Sequence, residues 1–336
     1  MMYLLVIGRA MKLDLTFRHF RTNIRRQPVV LLLPVAFLIT EILVFSIAND
    51  RFLSAPNVLN IMRQSAVLLL VASGLSFAIL IGSVDLSVGA IVTLSAIAVA
   101  LLVRDVNAGL WAFAAAAAIG LAAGATNACF HLFGRIPSFL ATLGTMGIFT
   151  GISNILGGGF NIHFDEPVVK WMAAGRLIDP IPNVALWSLI LFGVVSFVGA
   201  RTHFGRYVVA VGGGETVARL SGVRVGVVKA GAFLMSGLMA GIAGFLLVAR
   251  AGSATQRMGD SFMLEALASV VIGGTALSGG IGGVHRSIMG VLVIGVMSNG
   301  LNVVGVHPFI QTIIKGAVII LAVALTLDRS KSEFVK

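Results

Sequence analysis

Four ionisable side chains stand within or beside long apolar runs of this sequence: Glu41, Asp85, Glu265 and Lys315. A charge in such a place is costly, so it is paired, faces a polar path or takes up a proton. Glu265 and Lys315 lie in different runs at similar depth; at 1.5 Å per residue their levels differ by only ~5 Å, so they can meet as an ion pair. Asp85 closes one run and opens the next, and two readings of it stay open. It can cap the helix that follows, or it can belong to a broken helix in which Gly82, Asp85 and Ser87 line a solute path. Asn127, Asn299 and Asn302 sit in further runs, where they can bond solute hydroxyls or join helices. Covalent chemistry finds no footing. The six histidines are scattered without H-x-x-x-H spacing, no nucleophile stands with a base, and no G-x-x-x-x-G-K-[ST] loop is present to cradle a nucleotide. No cofactor or metal is expected, and any ATP must be bound by another subunit.

The elements that position these residues follow from composition. The chain of 336 residues is 58% hydrophobic and 11% charged, with a mean hydropathy of +1.02, whereas soluble domains carry roughly 25% charged residues. Lipid must be the solvent, and 40 glycines suit close helix packing within it. A helix needs ~20 apolar residues to cross the hydrocarbon. Runs of that kind cover about 29–48, 64–83, 86–103, 110–132, 138–156, 184–200, 230–249, 262–278, 287–304 and 309–327. The predicted fold is therefore all-α and polytopic, with about ten transmembrane helices and both termini cytoplasmic. In that topology sixteen of the 24 Lys and Arg residues fall inside and seven outside, with Lys315 within a span, the asymmetry that sets orientation. The net charge of +11 is accounted for by these short loops, and no nucleic-acid partner is expected. Residues 1–28 read as a cytoplasmic segment, 29–328 as the membrane domain and 329–336 as a cytoplasmic tail. The stretch Tyr3–Ile7 is too short for a signal peptide, and Met11 could be an alternative start. Cys129 is the only cysteine, so no disulfide forms within the chain.

Two connections are long, 157–183 outside and 201–229 inside. In the inner one, Gly212, Gly213 and Gly214 are expected to break the chain and Glu215–Ser221 to form a short helix. Glu215 and Arg219 are spaced for an i,i+4 pair, and Gly222 suits the C′ stop. Val217 and Leu220 share a face that would meet water without a partner. The helix can lie on the membrane, or it can dock into a groove of another protein.

Several stretches resemble the ribose/monosaccharide permease family of ABC importers. Asp85-Leu86-Ser87-Val88-Gly89 is similar to that family's G-G-I-D-L-S-V-G signature, with Gly82-Ser83-Val84 standing where the family has Gly-Gly-Ile. Phe204-Gly205-Arg206, Ala210-Val211-Gly212-Gly213, Ala218 and Ser221-Gly222-Val223 resemble its cytoplasmic coupling segment, with Gly214 in place of the usual Asn. Ser269 to Thr275 with Leu277-Ser278-Gly279-Gly280, and Lys315-Gly316, are also familiar. The resemblance covers about 55–328. It implies a bacterial inner-membrane subunit that forms a homo- or heterodimer with a second permease. Two ABC ATPase subunits would dock through Gly213, Glu215, Val217, Arg219, Leu220 and Gly222. A periplasmic or lipid-anchored binding protein would deliver a monosaccharide or similar small polar solute. Gly82, Asp85, Ser87, Asn127, Gly273, Thr275 and Asn299 are the candidate path residues. Related solutes (a nucleoside, a furanone-type signal or a branched-chain amino acid) are the alternative, with an ion-coupled secondary transporter using Glu41, Asp85 and Glu265 behind them. Finally, Ile81–Gly89 echoes Ile272–Gly280 at five of nine positions.

Overall fold

A computed structural model describes residues 32–326. Its helices are α1 (Leu32–Ala48), α2 (Ala55–Leu80), α3 (Val88–Val106), α4 (Trp111–Leu132), α5 (Ser138–Gly157), α6 (Pro167–Ala174), α7 (Asn183–Arg201), α8 (His203–Gly213), α9 (Glu215–Leu220), α10 (Val225–Ala251), α11 (Asp260–Ile272), α12 (Ser287–Val303) and α13 (Pro308–Thr326). A helix overlaps each of the ten predicted runs, but the eighth, 262–278, is helical only as far as Ile272, where Gly273 and Gly274 end it. Seven of them (α2, α3, α4, α5, α7, α10 and α12 with the 3-10 turn before it) are long and apolar enough to cross a membrane. α1 is shorter, and α11 has 13 residues. The chain is an all-α, multi-pass membrane protein. The predicted segments 1–28 and 329–336, and Met11, lie outside the described residues.

The bundle is built around α10, which packs against α2, α3 and α4. Most of α2 and α10 is buried, while α4, α5 and α7 keep broad exposed apolar faces carrying Leu121, Phe130, Ile148, Ile152, Leu189 and Phe197. The crossing of α4 on α10 has a specific cause. Gly120 and Gly124 on one helix meet Gly237 and Gly241 on the other, two G-x-x-x-G ridges in contact. A Cβ placed on Gly237 would lie 2.2 Å from the Gly120 carbonyl oxygen, and one on Gly120 2.3 Å from that of Gly237. Between helices in lipid no hydrophobic force acts, so such close backbone approach supplies the attraction. α3 joins the same axis through Ser95, whose Oγ donates to the Gly241 carbonyl at 2.8 Å.

Both long connections hold more structure than their sequence indicates. The first, 157–183, contains α6 and a two-residue strand β1 (Ile162–His163), which pairs antiparallel with β2 (Ser253–Ala254). The second, 201–229, contains two helices, since α8 runs on through Gly213 and the chain breaks at Gly214 alone. The expected break over Gly212–Gly214 fails because Gly212 serves another need. Its Cα faces the end of α2 so closely that a Cβ would lie 1.8 Å from the Leu80 carbonyl oxygen.

Substituting Gly237→Val is expected to force α4 and α10 apart at a cost of about 1–3 kcal/mol or more, read as a lower thermal-unfolding midpoint of the purified chain in detergent. Gly144→Val, on the open face of α5 with nothing within 4 Å, should keep the wild-type midpoint. Equal midpoints for the two variants would remove the crossing from its central place.

Candidate functional site

Residues 81–87, between α2 and α3, are not helical and are mostly buried. Asp85 sits there at 1% exposure. It does not cap α3, whose N-cap is Ser87 without a side-chain bond. Instead its carboxylate gathers donors from three elements. Oδ1 accepts from the Ser87 backbone N–H at 3.0 Å, Ser87 Oγ at 2.6 Å and Asn127 Nδ2 of α4 at 3.3 Å. Oδ2 accepts from Ser236 Oγ of α10 at 2.7 Å. Asn127 Nδ2 also donates to Ser87 Oγ at 2.7 Å, and its Oδ1 accepts from Thr145 Oγ1 of α5 at 2.5 Å. Three of the expected residues, Asp85, Ser87 and Asn127, thus converge in one buried cluster tying four elements together. Ser236 and Thr145 escaped the sequence reading, because a lone hydroxyl in an apolar run carries no signal of its partner.

The other candidates stand apart. Asn299 forms a reciprocal amide pair with Asn57 of α2 at 2.9 and 3.0 Å. Asn302 Oδ1 accepts from Gln311 Nε2 at 2.8 Å. The buried Thr275 accepts from the Gly283 N–H at 3.3 Å, and Gly273 packs on the Arg286 carbonyl. Lys315 Nζ donates to Glu265 Oε1 at 2.7 Å, joining α13 to α11. Glu41 is buried in α1, and its Oε2 has no hydrogen-bond partner among the described residues.

On one side of the bundle three glycine-bearing segments meet. The Gly280 N–H donates to the Leu80 carbonyl at 2.9 Å; a Cβ on Gly279 would strike Gly82 N, and one on Gly280 would strike Gly213 N. The echoing stretches 81–89 and 272–280 therefore touch, and α8 ends against both. From that seam projects α9. Gly214 enters it with φ 167° and ψ 102°. At its end the Gly222 N–H bonds Arg219 O and the Val223 N–H bonds Ala218 O, each at 3.0 Å, with Gly222 at φ +84°. That is the double bond pattern of a glycine-terminated helix. The expected Glu215–Arg219 pair is not formed. Glu215 Oε1 instead lies 2.6 Å from Lys229 Nζ near the start of α10, which ties α9 back to the bundle. Val217 and Leu220 are 69% and 85% exposed.

At the opposite end, α6, the β1–β2 hairpin and the end of α10 surround a cleft of about 650 Å³ lined by His163, Asp165, Lys170, Arg250 and Gly252. The hydrogen bond and then the charge of Lys170, 2.7 Å away, hold the Asp165 carboxyl below the usual carboxylate range.

Two substitutions test the buried polar contacts. Asp85→Ala leaves the Ser87, Asn127 and Ser236 donors without an acceptor, and a loss of roughly 3 kcal/mol or more in stability is expected, with Asp85→Asn falling between it and wild type. For Glu265 and Lys315, either single Ala change should lower the unfolding midpoint more than the double change does. Strictly additive losses would deny the pair any coupling.

Comparison with known proteins gives the geometry a context. Residues 57–323 match the family described as branched-chain amino acid transport system / permease component. The ribose import permease protein RbsC of Bacillus subtilis (strain 168) is 39% identical over 307 residues, covering 89% of this chain and 92% of its own. The D-allose transport system permease protein AlsC of Escherichia coli (strain K12) is 36% identical over 282 residues, covering 83% and 86%. The galactose/methyl galactoside import permease protein MglC of the same strain is 33% identical over 317 residues, covering 88% and 92%. No solved structure gives a significant match. With the match running through nearly the whole bundle, from α2 into α13, this chain belongs to that family of membrane permease components.

Proposed function

We propose that the chain is the membrane-spanning subunit of an ATP-driven ABC importer for a monosaccharide. The observation that carries this reading is α9. It is a six-residue helix held at both ends, presenting Val217 and Leu220 to water with no partner among the described residues. An apolar helix face of that kind fits a groove in another protein. The sugar is supported by the names of the relatives, which import ribose, allose and galactosides.

In this reading two cytosolic ATPase subunits dock on α9 of two permease subunits, identical or similar. A periplasmic or lipid-anchored binding protein meets the outer face, where α6 and the hairpin lie. The ten helices cross the bacterial inner membrane with both termini inside. Residues 201–229 form the coupling segment, in which Gly213 and Gly222 frame α9, Glu215 fixes it to Lys229 and Arg219 stays at its surface. ATP binding moves α9, and the seam at Leu80, Gly212 and Gly280 passes that movement to the junction at Gly82–Ser87. Asp85, Ser87 and Asn127 hold the wall of the path; Gly273, Thr275 and Asn299 support it from the α11–α12 side. The chain carries no ATPase site of its own.

Leu220→Asp tests the reading. A charge would enter an apolar groove unpaired, a cost of several kcal/mol. Transport in proteoliposomes with the cognate ATPase and binding protein should fall more than about tenfold, since each 1.4 kcal/mol is a factor of ten, and solute stimulation of ATPase should vanish. Membrane level and unfolding midpoint should stay wild-type, because Leu220 contacts no buried core. Near-normal coupled uptake by this variant would sink the proposal that α9 meets the motor.

A further inference from the structure

Between α9 and the turn joining α4 to α5 lies a second cleft, of about 360 Å³, lined by His131, Arg135, Pro137, Arg219, Gly226 and Lys229, with Glu215 on its wall. Its charge is unbalanced. Glu215 and Lys229 neutralise one another at 2.6 Å, while Arg135 and Arg219 have no carboxylate partner among the described residues. α10 begins at this cleft with no side-chain cap on its first turn, so the positive end of a 27-residue helix adds to the two guanidinium groups. His131 holds the Ile136 carbonyl through Nδ1 at 2.8 Å, and its Nε2 has no partner among the described residues. Arg135 is held at φ +52°, a region costly for a residue with a Cβ.

The rim of the cleft names the anion. Leu132 and Ile136 line the cleft beside Arg135; close by in the chain, Phe133 on the turn is 84% exposed, and Phe139 and Leu140 in the first turn of α5 are 50% and 48% exposed. A cationic cleft flanked by bare aromatic and aliphatic side chains suits a molecule with a phosphate at one end and hydrocarbon at the other. A soluble phosphoanion would have no use for that rim. We propose that this cleft binds the headgroup phosphate of an anionic phospholipid, with the acyl chains lying along Phe133, Phe139 and Leu140. The occupant bridges Arg135 on the α4–α5 turn and Arg219 on α9, so it ties α9 to the membrane surface. The site stands whether or not α9 docks an ATPase.

The test is binding of phosphatidylglycerol to the delipidated full chain in detergent, followed by native mass spectrometry and by thermal shift, with phosphatidylcholine alongside. Wild type should retain phosphatidylglycerol preferentially. The Arg135→Gly, Arg219→Gln variant should bind it roughly 30-fold more weakly, each cation near an anionic lipid contributing about a factor of five. Glycine is used at 135 because it accepts the left-handed backbone, and both residues are exposed. Either single substitution should show its own fivefold loss, which keeps the answer available should the double variant misfold. Arg201→Gln with Arg206→Gln, also exposed, should bind as wild type. Three results would overturn the proposal: unchanged binding in the cleft variants, an equal loss in the Arg201 and Arg206 variants, or a thermal shift from inorganic phosphate alone that matches the lipid's.

Discussion

A bilayer interior offers no water to a backbone that leaves its helix, so every N–H and C=O freed there must find a partner within the protein. Most of the N–H groups of residues 81–87 meet that demand within the protein. The Gly82 and Ser83 N–H groups turn back to Ile79 O and Ala78 O, both at 2.9 Å. The Val84 N–H is received by Ser138 Oγ and the Leu86 N–H by Thr142 Oγ1; the Ser87 N–H goes to Asp85. The freed Leu80 carbonyl accepts from Gly280. An interruption of α2 and α3 is thus possible only because α5 supplies two hydroxyls, the α11–α12 loop an N–H, and Asp85 an acceptor that α4 and α10 brace in turn. Loss of any of these supports strands the others, which makes the junction the point where most of the bundle's elements are coupled.

Glycine plays the complementary part. Where Asp85 gathers side chains, the seam of Gly82, Gly212, Gly279 and Gly280 brings backbones together with no side chain between them. Contacts of this kind transmit displacement well, because close-packed backbone has no rotamer to absorb it. α8 ends at the seam and α9 starts one residue beyond it. A push on α9 therefore reaches the junction through a single covalent step and one layer of backbone contact.

The membrane class, the seven helices long and apolar enough to span, the short helix after Gly214 and the meeting of Glu265 with Lys315 were legible in the sequence. Hydropathy and intramembrane charge are strong signals, because lipid penalises exceptions so heavily. Three things were not legible. α8 was hidden because its three trailing glycines read as a break, while the need for Gly212 was an approach to Leu80 distant in sequence. The partner of Glu215 was misassigned to Arg219, because local spacing is visible and the start of α10 is not. The Asp85 cluster was half visible: Asp85, Ser87 and Asn127 were marked as polar, but the residues that answer them are a serine and a threonine like many others.

The same physics separates holding from handling. In lipid a buried polar side chain is more stable bonded to another helix than left open to a lumen, so the residues that look most like solute ligands are the ones the bundle takes for its own cohesion. Asn299 is consumed by Asn57, Asn127 by Ser87 and Thr145, and Asp85 by four donors. What stays available is the surface: α5 and α7 with their bare apolar faces, the cleft beside α6, α9 and the basic cleft next to it. In the proposed reading, those faces are where a subunit of this build meets its partners. Its interior polar groups at Asp85, Asn127 and Asn299 are engaged with one another and with neighbouring helices.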